Sequence, residues 1–210
     1  MSTDPGRSSI TIVDYGVGNI GSIVNMLKRI HVTCHVASTK SDLQHAKKIL
    51  LPGVGAFDHG MTCFNNSGMR EDVERKVLDD KIPTLGICVG AQMLGRSSEE
   101  GQEKGLAWVP MDTKKFSSSD LRIPHMGWNV VNPSRKHDLF QGMEGELRFY
   151  FVHSYYMNVD HEDHCLARTP YAHDFASIVI NGHIIGVQFH PEKSHRFGMN
   201  FLYNFAACSP

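Results

Sequence analysis

Short apolar runs separated by helical stripes fill the first half of the chain. Ile10-Thr11-Ile12-Val13-Asp14 reads as a strand, and Ile20, Ile23, Val24, Leu27 and Ile30 then recur with a 3.6-residue period that predicts a helix. Residues 32–37 and 48–51 predict two more strands, the second stopped by Pro52-Gly53. A helix is expected from about Ser67, with Met69, Val73 and Val77 on one face. Residues 82–87 form a further buried run, after which Gly90 opens a helix expected to reach about Arg96. Strands separated by helices imply parallel β-α-β units with right-handed crossovers. The second half is richer in strands: 128–131, 147–153, 176–180 and 183–189, the last two joined at Asn181-Gly182, a hairpin signal. Phe197, Phe201, Leu202 and Phe205 mark a closing helix. No repeat is visible, and residues 98–104, 116–121 and 160–164 are the candidate loose segments. The pattern predicts one α/β domain over residues 10–210, with a central mixed, mostly parallel sheet flanked by helices. Residues 1–9, small and polar, are expected to be a disordered N-terminal extension.

Composition narrows the function classes. A chain of 210 residues can bury a substantial core without staples. Its formal net charge of -1 argues against binding nucleic acid or a membrane surface through bulk electrostatics. Five scattered cysteines, odd in number and without C-x-x-C spacing, predict reduced thiols in a cytoplasmic protein rather than a disulfide framework or a zinc ribbon. No apolar stretch approaches the length of a membrane span, and no signal-peptide core is apparent.

The chemistry concentrates at two places. Gly86-Ile87-Cys88-Val89-Gly90 is a G-x-C-x-G elbow at the end of an apolar run, and small neighbours are what a nucleophile on a tight strand-to-helix turn requires. Helix amides aimed at Cys88 favour its thiolate, and the Val89 amide is placed to stabilise an oxyanion. By itself the elbow admits a buried core cysteine as readily as a nucleophile. About a hundred residues later, His190-Pro191-Glu192 follows a second apolar run. In an extended conformation residues i and i+2 share a face, so the imidazole could face Cys88 while the carboxylate fixes its tautomer. The competing interpretation is a surface His and Glu in a chain with thirteen histidines.

Two other patterns invite ligands. Gly16-Val17-Gly18-Asn19-Ile20-Gly21 fits the dinucleotide fingerprint, but no acid stands at the end of the second strand to bind a ribose. Asp42 comes later, where a helix should begin. His161-Glu162-Asp163-His164 offers metal ligands, yet sits in a polar segment better read as a solvated loop. Cys34, Cys63, Cys165 and Cys208 are expected to pack.

Leu51-Pro52-Gly53-Val54-Gly55, Gly86-Ile87-Cys88-Val89-Gly90-Ala91-Gln92 and Gly186-Val187-Gln188-Phe189-His190-Pro191-Glu192-Lys193-Ser194 together resemble the class I (triad) glutamine amidotransferases, which have a flavodoxin-like fold. Within that family, Pro124-His125-Met126-Gly127-Trp128-Asn129 and Phe151-Val152-His153-Ser154-Tyr155 resemble the glutaminase subunits of imidazole glycerol phosphate synthase. The likeness covers the chain after residue 9. It implies a Cys88, His190 and Glu192 triad, and an oxyanion hole from Val89 with Gly53 and Val54, formed after a peptide rearrangement that a partner controls. It also implies glutamine binding by Gly55, Gln92, Glu100, Ser154 and Tyr155, and no cofactor or metal. Asn19, Trp128, Tyr150 and Lys193, otherwise ordinary surface or core residues, would face a separate (β/α)8 cyclase subunit in a heterodimer. Val89 and Ala91 stand where the family usually has Leu and Met, and residues 160–172 match no family motif.

The resemblance thus predicts hydrolysis of L-glutamine to glutamate and ammonia, passed to a cyclase that makes imidazole glycerol phosphate and AICAR in histidine biosynthesis. A paralogous glutaminase feeding amino-sugar synthesis for surface polysaccharides would need the same active site. A non-catalytic NAD-binding module and a self-contained cysteine hydrolase of γ-glutamyl compounds are the readings from other classes.

Overall fold

A computed structural model describes residues 9–117 and 121–208. The expectation for residues 1–9 therefore falls, apart from Ser9, outside the described residues, as do the ends of two further assignments, 118–120 and 209–210.

The parallel half of the sheet is built from β1 (Ile10–Val13), β2 (Cys34–Ala37), β3 (Ile49–Leu51) and β4 (Thr84–Ile87), with a late strand, β12 (Ile184–Val187), beside β4. Their order is β2-β1-β3-β4-β12, every neighbouring pair parallel. β1, β3, β4 and β12 are buried at every position, the pattern of strands covered on both faces. The crossovers are α1 (Ile20–Arg29), α2 (Phe57–Asn66) and α3 (Arg70–Glu74, continued by a π turn Arg75–Asp79). α4 (Val89–Gln92) follows β4, and α5 (His195–Ala207) closes the chain beside α1.

The antiparallel half comprises β5 (Met111–Lys115), β7 (Asn132–Pro133), β9 (Tyr155–Val159), β10 (Cys165–Tyr171) and β11 (His173–Asn181), with β11 paired to β12 through the Asn181-Gly182 turn. β6 (His125–Val130) and β8 (Arg148–His153) form a separate antiparallel ribbon. Among the described residues ten strands therefore make one mixed sheet with helices on its faces.

Several elements differ from the pattern. α2 was not visible in the sequence: its N-terminus has no capping side chain and its interior contains Gly60, so periodicity there is weak. Ser67, the expected start of a helix, ends α2 instead, and Gly68 at φ +72° turns the chain into α3. The helix after Cys88 stops at Gln92 rather than near Arg96, because residues 93–96 turn back to bond residues 105–111. The described parts of the supposed loose segments make specific contacts. Asp58 accepts from the Gln102 and Glu103 amides at 2.9 Å each, Phe116 is buried, and Arg96 bridges Asp112 and Asp160 at 2.6 and 2.5 Å. Residues 165–171 of the unmatched segment are strand β10.

Candidate active site

Because β3, β4 and β12 run parallel and in register, Leu51 beside Gly86 and Gly86 beside Gly186, their carboxyl ends deliver Pro52-Gly53, Cys88 and Gln188-Phe189-His190 to one edge. Crevices outside the carboxyl ends of such strands are where open α/β sheets bind ligands. Cys88 occupies φ 54°, ψ -111°, a conformation that costs an L-residue on the order of 1–3 kcal/mol. Its N–H donates to Val187 O at 2.8 Å, and its carbonyl accepts from Ala91 and Gln92 at 3.0 and 3.1 Å, so both sides of the strained residue are fixed. Space is the second constraint. A Cβ on Gly90 would lie 2.1 Å from Leu51 O, one on Gly53 2.2 Å from Gly90 N, and one on Gly86 2.6 Å from Gly90 O. The elbow and the Pro52-Gly53-Val54-Gly55 loop thus pack backbone on backbone, with Gly53 against Val89 and Gly90 at the start of α4.

His190 reaches the edge by a different route from the one expected. β12 ends at Val187; His190 is extended, but residues Pro191–Lys193 form a 3₁₀ turn. That turn, rather than strand alternation, swings the Glu192 carboxylate back until Oε1 sits 2.8 Å from His190 Nδ1. The loop is held by His190 N donating to Tyr150 O at 2.9 Å and by Ser194 Oγ, which accepts from Tyr150 N at 3.0 Å. Both triad side chains beside Cys88 are almost wholly buried. Burial opposes a charged His190, but hydrogen bonds to Cys88 and then Glu192 outweigh it and raise its pKa to about 10. His190 is therefore held as imidazolium between Cys88 and Glu192.

A cavity of about 390 Å³ opens on Cys88 and His190. Its walls include Val54, Gly55, Val89, Gln92, Glu100, Ser154 and Tyr155, so every residue expected to hold glutamine lines one pocket. Glu100 also accepts from the Phe57 amide at 2.8 Å, bracing the end of the loop that carries Gly55. On the neighbouring surface Trp128 and Tyr150 stack edge to face at 6.3 Å. Lys193 lines both the reactive pocket and a cavity of about 580 Å³ beside Trp128. Asn19 lies in the loop that opens α1, where its side chain caps the helix by accepting from Ser22 N at 3.4 Å.

The glycine fingerprint has a local explanation. Gly18, at φ +113°, would place a Cβ 2.7 Å from the Pro52 side chain, so the motif makes room for the loop beside the elbow. Asp42 is spent on a turn, accepting from the Ser38 and Thr39 amides at 3.1 and 2.9 Å. The His161 segment is used internally: Glu162 pairs with Arg168 and His164 bonds Ile180 O. No group of three or more potential ligands is arranged for a metal among the described residues.

Sequence reasoning missed three contributors. Tyr15, buried and with its pKa driven up by that burial, donates to the Pro52 carbonyl and lies 3.6 Å from Met93 Sδ, anchoring the loop. Gln188 points Nε2 at Cys88 Sγ, 3.8 Å away; a polar residue inside an apolar strand run was the available signal. The third is the pair His125 and His153, whose ring nitrogens meet at 2.9 Å.

Burial lowers the pKa of His125 to about 4, and burial, with its histidine neighbours, lowers that of His153 to about 3. Below pH 6.5 the unfolded chain takes up protons that these rings refuse, so stability falls as pH drops from 6.5 towards 4. His190 has the opposite sign: its contribution is complete below pH 6.5 and lost as pH rises through about 10. Urea midpoints measured across this range should peak near pH 6.5; a monotonic rise from pH 5 to 10 would contradict the assignment.

Residues 11–208 match the family Glutamine amidotransferase class-I. The chain is 50% identical over 201 residues to the imidazole glycerol phosphate synthase subunit HisH of Bdellovibrio bacteriovorus, covering 94% of this chain and 98% of that one. It is 46% identical to HisH 2 of Pseudomonas aeruginosa, covering 93% and 98%. The crystal structure of a glutamine amidotransferase superposes with a TM-score of 0.72 at 18% identity, covering 93% of this chain and 98% of that chain, and so shares the fold. With half its residues shared across nearly the full length of a relative, the chain belongs to the class-I glutamine amidotransferases, grouping within them with the HisH subunits.

Proposed function

We propose that this chain is the glutaminase subunit of an imidazole glycerol phosphate synthase, working in the cytoplasm as a heterodimer with a (β/α)8 cyclase. The observation that carries this is one pocket lined by Cys88, by His190 with Glu192 bonded behind its imidazole, and by all five residues expected to grip glutamine. Cys88 thiolate attacks the side-chain amide carbon, and the oxyanion is met by the Val89 amide together with the Gly53–Val54 segment. His190, as imidazolium, gives its proton to the leaving nitrogen, and ammonia departs. It then takes a proton from water, which cleaves the γ-glutamyl thioester and releases glutamate. Glu192 fixes the tautomer and carries the opposing charge. Gly55, Gln92, Glu100, Ser154 and Tyr155 hold the amino-acid end of the substrate.

The partner assignment draws on the names of the relatives and on the surface beside the site. Met126 and Trp128, at 61% and 41% exposure, stand out on the ribbon, Trp128 beside Tyr150 and Lys193, the kind of apolar surface that marks an interaction site. Five free cysteines suit a reducing compartment, and among the described residues no helix is long and apolar enough to cross a membrane. Glutamate release should be weak for the isolated chain and rise at least about tenfold when a cyclase and its ribonucleotide ligand are added, a coupling of roughly 1.4 kcal/mol or more. Full activity without any partner would overturn the heterodimer assignment.

A further inference from the structure

The ribbon strand that carries Trp128 also begins a buried chain of hydrogen bonds ending at the nucleophile. His153 Nδ1 lies 2.7 Å from the Tyr155 carbonyl, which can only accept, so the proton sits on Nδ1 and Nε2 is a lone pair. His125 Nδ1, 2.9 Å from that lone pair, must then be the donor, leaving His125 Nε2 to accept from Asn129 Nδ2 at 3.2 Å. The Asn129 amide is fixed in turn, since Nδ2 also donates to Pro170 O at 2.8 Å and Oδ1 accepts from Val130 N. On the far side of Tyr155 the same carbonyl accepts from Gln92 Nε2 at 3.3 Å, which sets the orientation of that amide. Gln92 Nε2 also donates to Gln188 Oε1 at 3.1 Å. Gln188 is thereby obliged to turn Nε2, its donor end, to Cys88 Sγ at 3.8 Å.

The direction of every proton follows from the two backbone carbonyls at Pro170 and Tyr155. Were Gln188 reversed, an oxygen would face the sulfur and oppose its charged form; a donor favours it. His125, His153, Gln92 and Gln188 are all buried, so water does not substitute for a missing partner. Residues alternate along the strand: His125 and Asn129 face inward, while Met126 and Trp128 stand exposed.

We infer that His125 is a positioning residue for Cys88: by donating to His153 Nε2 it holds the ring whose Nδ1–H fixes the Tyr155 carbonyl, and that carbonyl orients the two glutamine amides so that Cys88 meets an N–H donor. The inference deepens the proposed glutaminase reading and rests on it for the role of Cys88. It also places the docking strand and the sulfur on one set of hydrogen bonds.

The test uses the full chain and begins without mutation. A long-range ¹H–¹⁵N spectrum at pH 7 is expected to show His125 and His153 both as the Nδ1–H tautomer; an Nε2–H tautomer at either overturns the inference. Iodoacetamide alkylation of the Cys88 peptide at pH 7, followed by mass spectrometry, reads the thiolate without requiring glutamine hydrolysis. His125→Phe keeps a flat ring against Tyr171, now 4.0 Å away, but removes the donor, and should slow alkylation about tenfold. His125→Asn restores an N–H near the Nδ1 position and should recover most of the rate and of kcat for glutamine. An unchanged alkylation rate in folded His125→Phe, or equal losses in the two variants, overturns the inference. If wild type releases no glutamate under any condition, the functional reading fails, while the tautomers and alkylation rates still decide the chain.

Discussion

Cys88→Ala is expected to abolish glutamate release, with a loss on the order of 10⁴–10⁶-fold, the scale on which removal of a nucleophile acts. The size of the effect follows from how specialised the position is. Among the cysteines, only Cys88 combines a place at the head of α4 with a shared pocket wall beside His190. The remaining cysteines lie elsewhere: Cys34 on β2, Cys63 on α2, Cys165 on β10 and Cys208 beyond α5. None lines that cavity, so none can take over. The substitution removes one atom and leaves the backbone geometry intact, so the melting temperature should be nearly unchanged. Binding of glutamine should persist, since its expected ligands are other residues. Loss of turnover with retained glutamine binding, measured by calorimetry, is the expected combination.

Gly90→Ala should damage fold and activity together. The new Cβ would meet Leu51 O at 2.1 Å, and that oxygen belongs to the backbone of a central buried strand that cannot yield. Overpacking of this kind costs about 3 kcal/mol or more, which for a chain of this size lowers Tm by roughly 6–12 °C. Relief comes only by moving α4 away from Leu51 and Pro52, which pulls the Val89 amide from the loop bearing Gly53. Glutamine hydrolysis should therefore fall even at temperatures where the variant is folded. Gly21→Ala is the control: nothing lies within 4 Å of its Cβ position, and in helix α1 the change should stabilise by about 0.5–1 kcal/mol. Equal melting temperatures for the two variants would show that the close approach at Gly90 is not a constraint.

Much of the parallel half was legible because its strands are continuous apolar runs punctuated by glycine and proline, and each such strand had a helix or turn signal beside it. β1, β3, β4 and β12 were located within a few residues on that basis. The antiparallel half was harder. β5 reads Met-Asp-Thr-Lys-Lys, with polar and charged positions on an exposed face, and β10 contains a proline that only its sheet context accommodates. α2 was hidden by Gly60, yet that glycine exists because Met93 and Val89 press against the helix there. Glu192 illustrates a right pairing reached by the wrong geometry: the carboxylate meets His190 through a 3₁₀ turn that the His-Pro-Glu spacing did not reveal. The histidine pair and Gln188 were illegible for a deeper reason. Their roles depend on which side chains lie across a ribbon or a sheet, and a single sequence does not carry that information.

In the proposed reaction Cys88 Sγ is the atom that receives the γ-glutamyl group. The most direct measurement is acid quench of the enzyme during turnover of glutamine, with the cyclase present, followed by peptide mass spectrometry. A γ-glutamyl thioester on the Cys88 peptide, lost in Cys88→Ala along with all glutamate release, is the predicted result. Undiminished glutamate release by Cys88→Ala, or an adduct on another cysteine, would contradict it.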